Sequence, residues 1–168
     1  KSNPDIVFHL AAESHVDRSI NTPSVFINSN IVGTFNLLES CRSHYSNLEK
    51  YRKKFFKFLH ISTDEVYGSL GSSGYFSEIT PYSPKSPYSA SKIAADKVIE
   101  SYVNSFNINA VTVRPFNVYG PRQSARAIIP TIISQILFNN KIEVGNIEPI
   151  RDFTFVSDTV NGFLMAGI

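Results

Sequence analysis

Three short runs of mainly apolar residues, at 6–10, 56–62 and 110–114, end in small or polar residues and are separated by stretches of helical spacing. This alternation constrains the fold more than any other feature of the chain. The first run, Ile6, Val7, Phe8, His9 and Leu10, reads as a buried parallel strand, because it lacks the polar alternation of a half-exposed one. Residues 23–45 place Val25, Phe26, Ile31, Phe35, Leu37 and Leu38 at helical intervals, and 88–106 is rich in Ala, Ile and Val. Further helices are expected at 127–138 and from Ser157 onward, and a short strand at 141–144. A loop is expected at 69–87, where Ser, Gly and Pro predominate. Strands that are apolar on both faces and alternate with helices predict an α/β layered fold with a mainly parallel sheet. In such sheets ligands bind beyond the carboxyl ends of the strands, which singles out 11–14, 62–68 and 115–120.

Composition narrows the partners. With 168 residues, 42% apolar and 18% charged, the chain suits one domain with a real core. The net charge of +2 is small, and the densest basic cluster, from Lys50 to Lys57, is interrupted by Tyr51, Phe55 and Phe56. That cluster reads as a solvated helix end or loop, so no nucleic-acid partner is expected. A lone Cys41 forms no intramolecular disulfide and fits a reducing compartment. No apolar run approaches the ~20 residues of a membrane span, and no charged-then-apolar leader opens the chain. A soluble, cytoplasmic location without a membrane partner is therefore expected. The four histidines, His9, His15, His44 and His60, lack paired ligand spacing, so no metal site is expected. The first residue is Lys1 and a strand pattern begins almost at once, as though the chain started inside a larger fold.

The residues that carry chemistry lie after the second run. Tyr88 and Lys92 are four apart, so on a helix they share a side, ~6 Å apart along the axis. An ammonium near a phenol favours phenolate, which would suit Tyr88 as a general base. The plain alternative is a helix start capped by Ser86 or Pro87, with Lys92 in solvent. Thr63, Asp64 and Glu65 come after the second strand: a hydroxyl that could bond the same substrate oxygen, and two carboxyls that could divide acid and base roles. The plain alternative there is a turn or cap. Gly68, Gly71 and Gly74 imitate the spacing of a dinucleotide fingerprint. A phosphate cradle needs a helix directly afterwards, and residues 75–87 are instead interrupted by Pro81, Pro84 and Pro87, so a loop is the better reading.

Residues 60–68 (HISTDEVYG), 87–92 (PYSASK), 114–121 (RPFNVYGP) and 151–158 (RDFTFVSD) together resemble the extended short-chain dehydrogenase/reductase family, and matching blocks run from Pro4 to Gly162. The resemblance implies a Rossmann-like doubly wound parallel sheet with NAD as cofactor, here lacking its N-terminal strands, its Gly-rich turn and most of its C-terminal substrate domain. On that basis 1–168 is a partial NAD(P)-binding domain, with 120–168 beginning the substrate-binding part. The Thr63-Asp64-Glu65 triplet is similar to that of the nucleotide-sugar 4,6-dehydratases, and 10–20 (LAAESHVDRSI) is similar to the dTDP-glucose version.

Carried over by position, Tyr88 takes the proton of the sugar 4-hydroxyl while hydride leaves C4. Lys92 lowers the Tyr88 pKa and holds the nicotinamide ribose, and Thr63 bonds the C4 oxygen. Glu65 removes the C5 proton and Asp64 protonates the departing 6-hydroxyl. The resemblance further assigns Leu10, Ala11, Ala12, Ser14, Ser29, Tyr88, Lys92 and Asn117 to the cofactor. It assigns Ser14, Thr63, Asn117, Arg126 and Arg151 to a nucleotide-sugar substrate, and it implies a homodimer through helices 23–45 and 88–106. Residues 120–130 look more like relatives acting on UDP- or GDP-linked N-acetylamino sugars. An epimerase, decarboxylase or reductase of the same family is the alternative enzyme, and a non-catalytic sugar-nucleotide-binding module the alternative of another class. The isolated 168 residues are expected to bind NAD poorly and to turn nothing over.

Overall fold

The computed structural model describes residues 3–71, 73–138, 141–146, 148 and 150–168. The chain divides into two compact units, one of Lys1–Arg114 with Phe163–Ile168 and one of Pro115–Gly162.

In the first unit three strands, β1 (Ile6–His9), β2 (Lys57–Ile61) and β3 (Ala110–Val113), form a parallel sheet in the order β1-β2-β3. Parallel neighbours cannot be joined by a tight turn, and helices make both crossovers. Between β1 and β2 lie α1 (Val16–Asn21), α2 (Pro23–Phe26), a π-helical stretch (Ile27–Val32), α3 (Gly33–Asn47) and α4 (Lys50–Lys53). Between β2 and β3 lie a 3₁₀ turn (Asp64–Tyr67) and α5 (Pro87–Phe106). The registers align His9 with His60 and His60 with Thr112, so all three strands deliver their last residues to one end of the sheet.

The central strand explains the core. Phe58 and Leu59 are fully buried on opposite faces of β2, and Phe58 packs in a cluster with Leu38, Cys41, Leu48, Phe56, Ile99, Tyr102 and Ile108. Burial of a Phe or Leu side chain contributes about 1.5–3 kcal/mol each, and this cluster fastens α3 and α5 to the same face. The expectation of strands buried on both faces holds for β2 but not for β1. Ile6 and Phe8 stay 37% and 38% exposed, and among the described residues β1 pairs with β2 alone.

The helix expected at 23–45 is helical throughout but changes pitch at Ile27–Val32. That stretch points Asn30 inward, where its amide accepts from the Glu13 backbone N–H (2.8 Å) and donates to the Glu13 carbonyl and to Ser91 Oγ (both 2.9 Å). Helix α5 begins one residue earlier than expected. Ser86 caps it and Ser89 reciprocates, each bonding the other's backbone N–H at 3.1 Å. It ends at Asn107, which takes the left-handed conformation (φ 52°) that Asn tolerates at a helix end.

The second unit holds a separate parallel pair, β4 (Asn117–Tyr119) with β5 (Phe153–Phe155), and α6 (Ile128–Phe138). Helix α7 (Val156–Gly167) comes directly after β5. The strand expected at 141–144 does not form. Ile142 and Val144 are exposed, and the Glu143 backbone N–H and carbonyl both bond the side chain of Gln135 on α6 instead of another strand. The pairing that does form uses residues 153–155, further along the sequence.

Candidate active site

The carboxyl end of β2 and the first turns of α5 build a polar site in the first unit. Residues 61–63 continue β2 into the 3₁₀ turn, and Thr63 caps that turn by accepting from the Glu65 N–H at 3.3 Å. The cap predicted as the plain alternative is thus present, and the same hydroxyl lies close enough to the Tyr88 phenol to lower its pKa. Tyr88 is 8% exposed, edge-on to the buried Phe26 ring. Asp64 is half-buried and Glu65 exposed, and both carboxyls lie close enough to act on the Tyr88 phenol.

The electrostatics differ from the sequence expectation at one point. The Tyr88 phenol is pushed above its ordinary range, first by burial and then by the Glu65 and Asp64 charges, against the lowering effect of the Thr63 bond. Lys92, expected to pull that phenol down, instead directs its ammonium to the Ile61 carbonyl at 2.7 Å. Lys92 is itself almost fully buried, and burial lowers its pKa to about 8, opposed by the charge of Asp96.

Behind these groups lies a cluster that sequence reasoning passed over. Asp96 Oδ2 accepts from Ser62 Oγ (3.0 Å) and from Arg114 Nε (3.1 Å) and Nη2 (2.9 Å). Arg114 also donates to the hydroxyls of Tyr82 (2.6 Å) and Tyr67 (3.4 Å). His60 lies with its Nε2 3.6 Å from Asp96 Oδ1, and burial first, then Lys92, His9 and Arg114, lower its pKa to about 2. His9 beside it, bonded to Thr34 Oγ1 at 3.0 Å, falls to about 4 through burial and Lys92. The available signal was the spacing: Asp96 continues the four-residue step of Tyr88 and Lys92, and His9 and His60 lie near the ends of strands expected to be parallel.

The other expected site residues are spread over both units. Leu10, Ala11, Ala12 and Ser14 form an exposed segment after β1, and Ser29 is half-buried on the π-helical stretch. Asn117 opens β4, half-buried, while Arg126 and Arg151 are exposed. These last three belong to the second unit, which has its own apolar cleft of about 390 Å³ between Tyr119, Pro121, Gln123, Ile129, Ile133 and Phe155. Residues 69–86 contain no helix or strand among the described residues, consistent with a loop rather than a phosphate cradle. The loop is fastened by the Ser83 N–H to the Val66 carbonyl (2.9 Å) and by Phe76 stacked on Tyr67. Cys41 is packed in the core with its thiol pushed up to about 11, far from a thiolate nucleophile. Among the described residues no group of three or more His, Cys, Asp or Glu could hold a metal ion, and no helix is long and apolar enough to cross a membrane.

A parallel sheet with a Tyr and a Lys one helical turn apart, at the carboxyl end of its central strand, defines a Rossmann-like α/β protein of the dehydrogenase/reductase type. Residues 1–166 match the family described as GDP-mannose 4,6 dehydratase, and the chain belongs to that family. It is 46% identical over 156 residues to a dTDP-glucose 4,6-dehydratase of Xanthomonas campestris pv. campestris (strain B100), covering 92% of this chain and 44% of the relative. The chain thus spans less than half the length of that relative. Its fold superimposes on DesIV, a dTDP-glucose 4,6-dehydratase from Streptomyces venezuelae with NAD and TYD bound, at TM-score 0.83 and 34% identity, over 98% of this chain and 48% of that one. It also resembles a UDP-N-acetylglucosamine 4-epimerase from Methanobrevibacter ruminantium M1, at TM-score 0.84 and 30% identity, over 97% and 51% of the two chains.

Proposed function

We propose that the protein carrying this chain is an NAD-dependent nucleotide-sugar 4,6-dehydratase, a lyase, with dTDP-glucose as substrate. The observation that carries this reading is the convergence of the Thr63 hydroxyl and the Asp64 and Glu65 carboxyls on the buried Tyr88 phenol. An epimerase needs only a base and a returning hydride. Two carboxyls beside that base supply what elimination of water adds, one group to take a carbon-bound proton and one to protonate the leaving hydroxyl.

The residues present suit a nicotinamide dinucleotide. Ala11 and Ala12 are exposed beyond β1 and carry only methyl side chains, and the Tyr88 hydroxyl and Lys92 ammonium would supply donors for a ribose. Leu10, Ala11, Ala12, Ser14, Ser29, Tyr88, Lys92 and Asn117 would hold it. When bound, NAD supplies reversible hydride acceptance. The protein's residues do the rest. Tyr88 removes the 4-hydroxyl proton, with Thr63 bonding the same oxygen. Glu65, the more exposed carboxyl, takes the C5 proton, and Asp64 gives its proton to the 6-hydroxyl.

The acid role requires a protonated Asp64, which carries no charge. That state removes one of the two carboxylate contributions that hold the Tyr88 phenol high, so an acid at Asp64 and a base at Tyr88 support each other. Ser14, Thr63, Asn117, Arg126 and Arg151 are assigned to the substrate, the arginines to its phosphates. Residues 1–168 are read as a partial NAD(P)-binding domain, with 120–168 as the start of the substrate part. A homodimer through residues 23–45 and 88–106 is supported by Val25, Ile27, Val32, Phe35 and Phe106, all exposed there. The lone, buried Cys41 suits the cytoplasm.

Glu65→Gln tests the reading in the intact protein. Loss of C5 proton exchange with solvent, and a fall in dehydration of about 10²–10⁴-fold, are expected with NAD binding retained. Undiminished exchange would refute the role of Glu65.

A further inference from the structure

Three successive turns of α5 meet three consecutive residues at the end of β2. Thr63 acts on the Tyr88 phenol, Lys92 donates to the Ile61 carbonyl at 2.7 Å, and Asp96 accepts from Ser62 Oγ at 3.0 Å. The first two contacts belong to the proposed chemistry. The third involves a carboxylate that is 4% exposed, and burying a charge costs several kcal/mol unless it is well paired. Asp96 is only partly compensated. Its Oδ2 receives Ser62 and both Arg114 donors, whereas Oδ1 has no hydrogen-bond partner among the described residues and faces His60 Nε2 at 3.6 Å. Neither ring nitrogen of His60 has one either.

We propose that Asp96 is a positioning residue for the dehydration. It locks α5 in register with the turn that carries Thr63, Asp64 and Glu65, and it keeps Lys92 in its ammonium form. The proposal rests on the functional reading above for the part Lys92 plays. The charged and titratable groups around Lys92 are His60 on β2, His9 on β1, Arg114 after β3, and Tyr88 and Asp96 on its own helix; Asp64 and Glu65 act on Tyr88 from the 3₁₀ turn. From the π-helical stretch the neighbour is the uncharged Asn30, bonded to Ser91. With Arg114 also cationic and both histidines held neutral, Asp96 is the carboxylate whose charge opposes the burial of Lys92.

The test uses the intact protein labelled with ¹³C-lysine, with the Lys92 signal identified by its disappearance in Lys92→Arg. In the wild type the Lys92 ¹³Cε shift should titrate near pH 8. In Asp96→Asn its midpoint should move roughly one pH unit lower, and the alkaline limb of kcat should move with it while KM for the sugar nucleotide changes little. A purely structural Asp96 would lower activity equally at every pH and leave the Lys92 midpoint in place, and that result overturns the proposal. If Asp96→Asn fails to fold, Asp96→Ser decides. It removes the charge that acts on Lys92 and keeps a hydroxyl facing Ser62 and Arg114, and it should move the Lys92 midpoint in the same direction; an unmoved midpoint overturns the proposal. The resonance is read without turnover, so a protein that does not dehydrate dTDP-glucose but shows the shift refutes the functional reading and leaves the clamp standing.

Discussion

Helix α5 buries two unlike surfaces. From 87 to 96 its hidden side chains are Tyr88, Ser89, Ser91, Lys92, Ala95 and Asp96; from 97 to 106 they are Ile99 and Tyr102, packed on Leu38, Phe58 and Ile108. The second half gains stability mainly from apolar packing, with the Tyr102 hydroxyl donating to Glu39. The first half must find a partner for every polar atom it hides, and it succeeds only in part, since among the described residues Asp96 Oδ1 and both nitrogens of the adjoining His60 have no hydrogen-bond partner. A site that gathers an ammonium, a carboxylate, a guanidinium and two neutral imidazoles is held in place by packing elsewhere on the same helix. The difference shows where stability and chemistry are divided: at about Asp96, within one element.

Three changes sharpen or break that division. The largest effect on stability is expected from Ile99→Ala, which empties part of the core. It should lower the unfolding free energy by about 2–5 kcal/mol, measured by urea denaturation, while the pH dependence of turnover keeps its shape. A changed pH profile would mean that the two halves are not separable.

Next is acid sensitivity. His9 and His60 are held at about 4 and about 2, both below the ordinary 6.5, so the unfolded chain binds more protons than the folded one beneath that value. Their contribution is complete above about pH 6.5 and is lost as pH falls, that of His9 down to about 4 and that of His60 down to about 2. His60→Leu should therefore flatten the decline of the urea midpoint with acid; an unchanged slope would place the sensitivity elsewhere. The smallest effect is that of Ser86→Ala, which removes the cap two residues before Tyr88 and should cost about 1 kcal/mol, seen as a small drop in Tm.

The parts legible in the sequence are those in which one residue's neighbours along the chain decide its state. The runs containing Phe8, Phe58 and Val111 are apolar without alternation, and each became a strand of the parallel sheet. Tyr88 and Lys92 shared a side of a helix because four residues make about one turn. What was not legible depended on pairing across distance. The ladder of Asn117–Tyr119 with Phe153–Phe155 joins two three-residue strands across α6, too short for any period to show, whereas the alternating Lys141-Ile-Glu-Val144 had the pattern and no strand to pair with among the described residues. The four-residue step also could not say which acceptor Lys92 would meet. The Ile61 carbonyl, contributed by another element, took the ammonium that was expected beside the Tyr88 phenol.

Gly68 closes the 3₁₀ turn with φ +80°, and a Cβ there would lie 2.3 Å from the Ser83 carbonyl oxygen. Two strands of irregular chain, the exit from the 3₁₀ turn and the far end of the loop at 69–86, cross at this atom-wide gap, and only a hydrogen fits between them. An experimenter who randomised residue 68 and selected for turnover would recover glycine almost alone. The same screen run at Gly71, where a Cβ would meet nothing within 4 Å, should return nearly every amino acid.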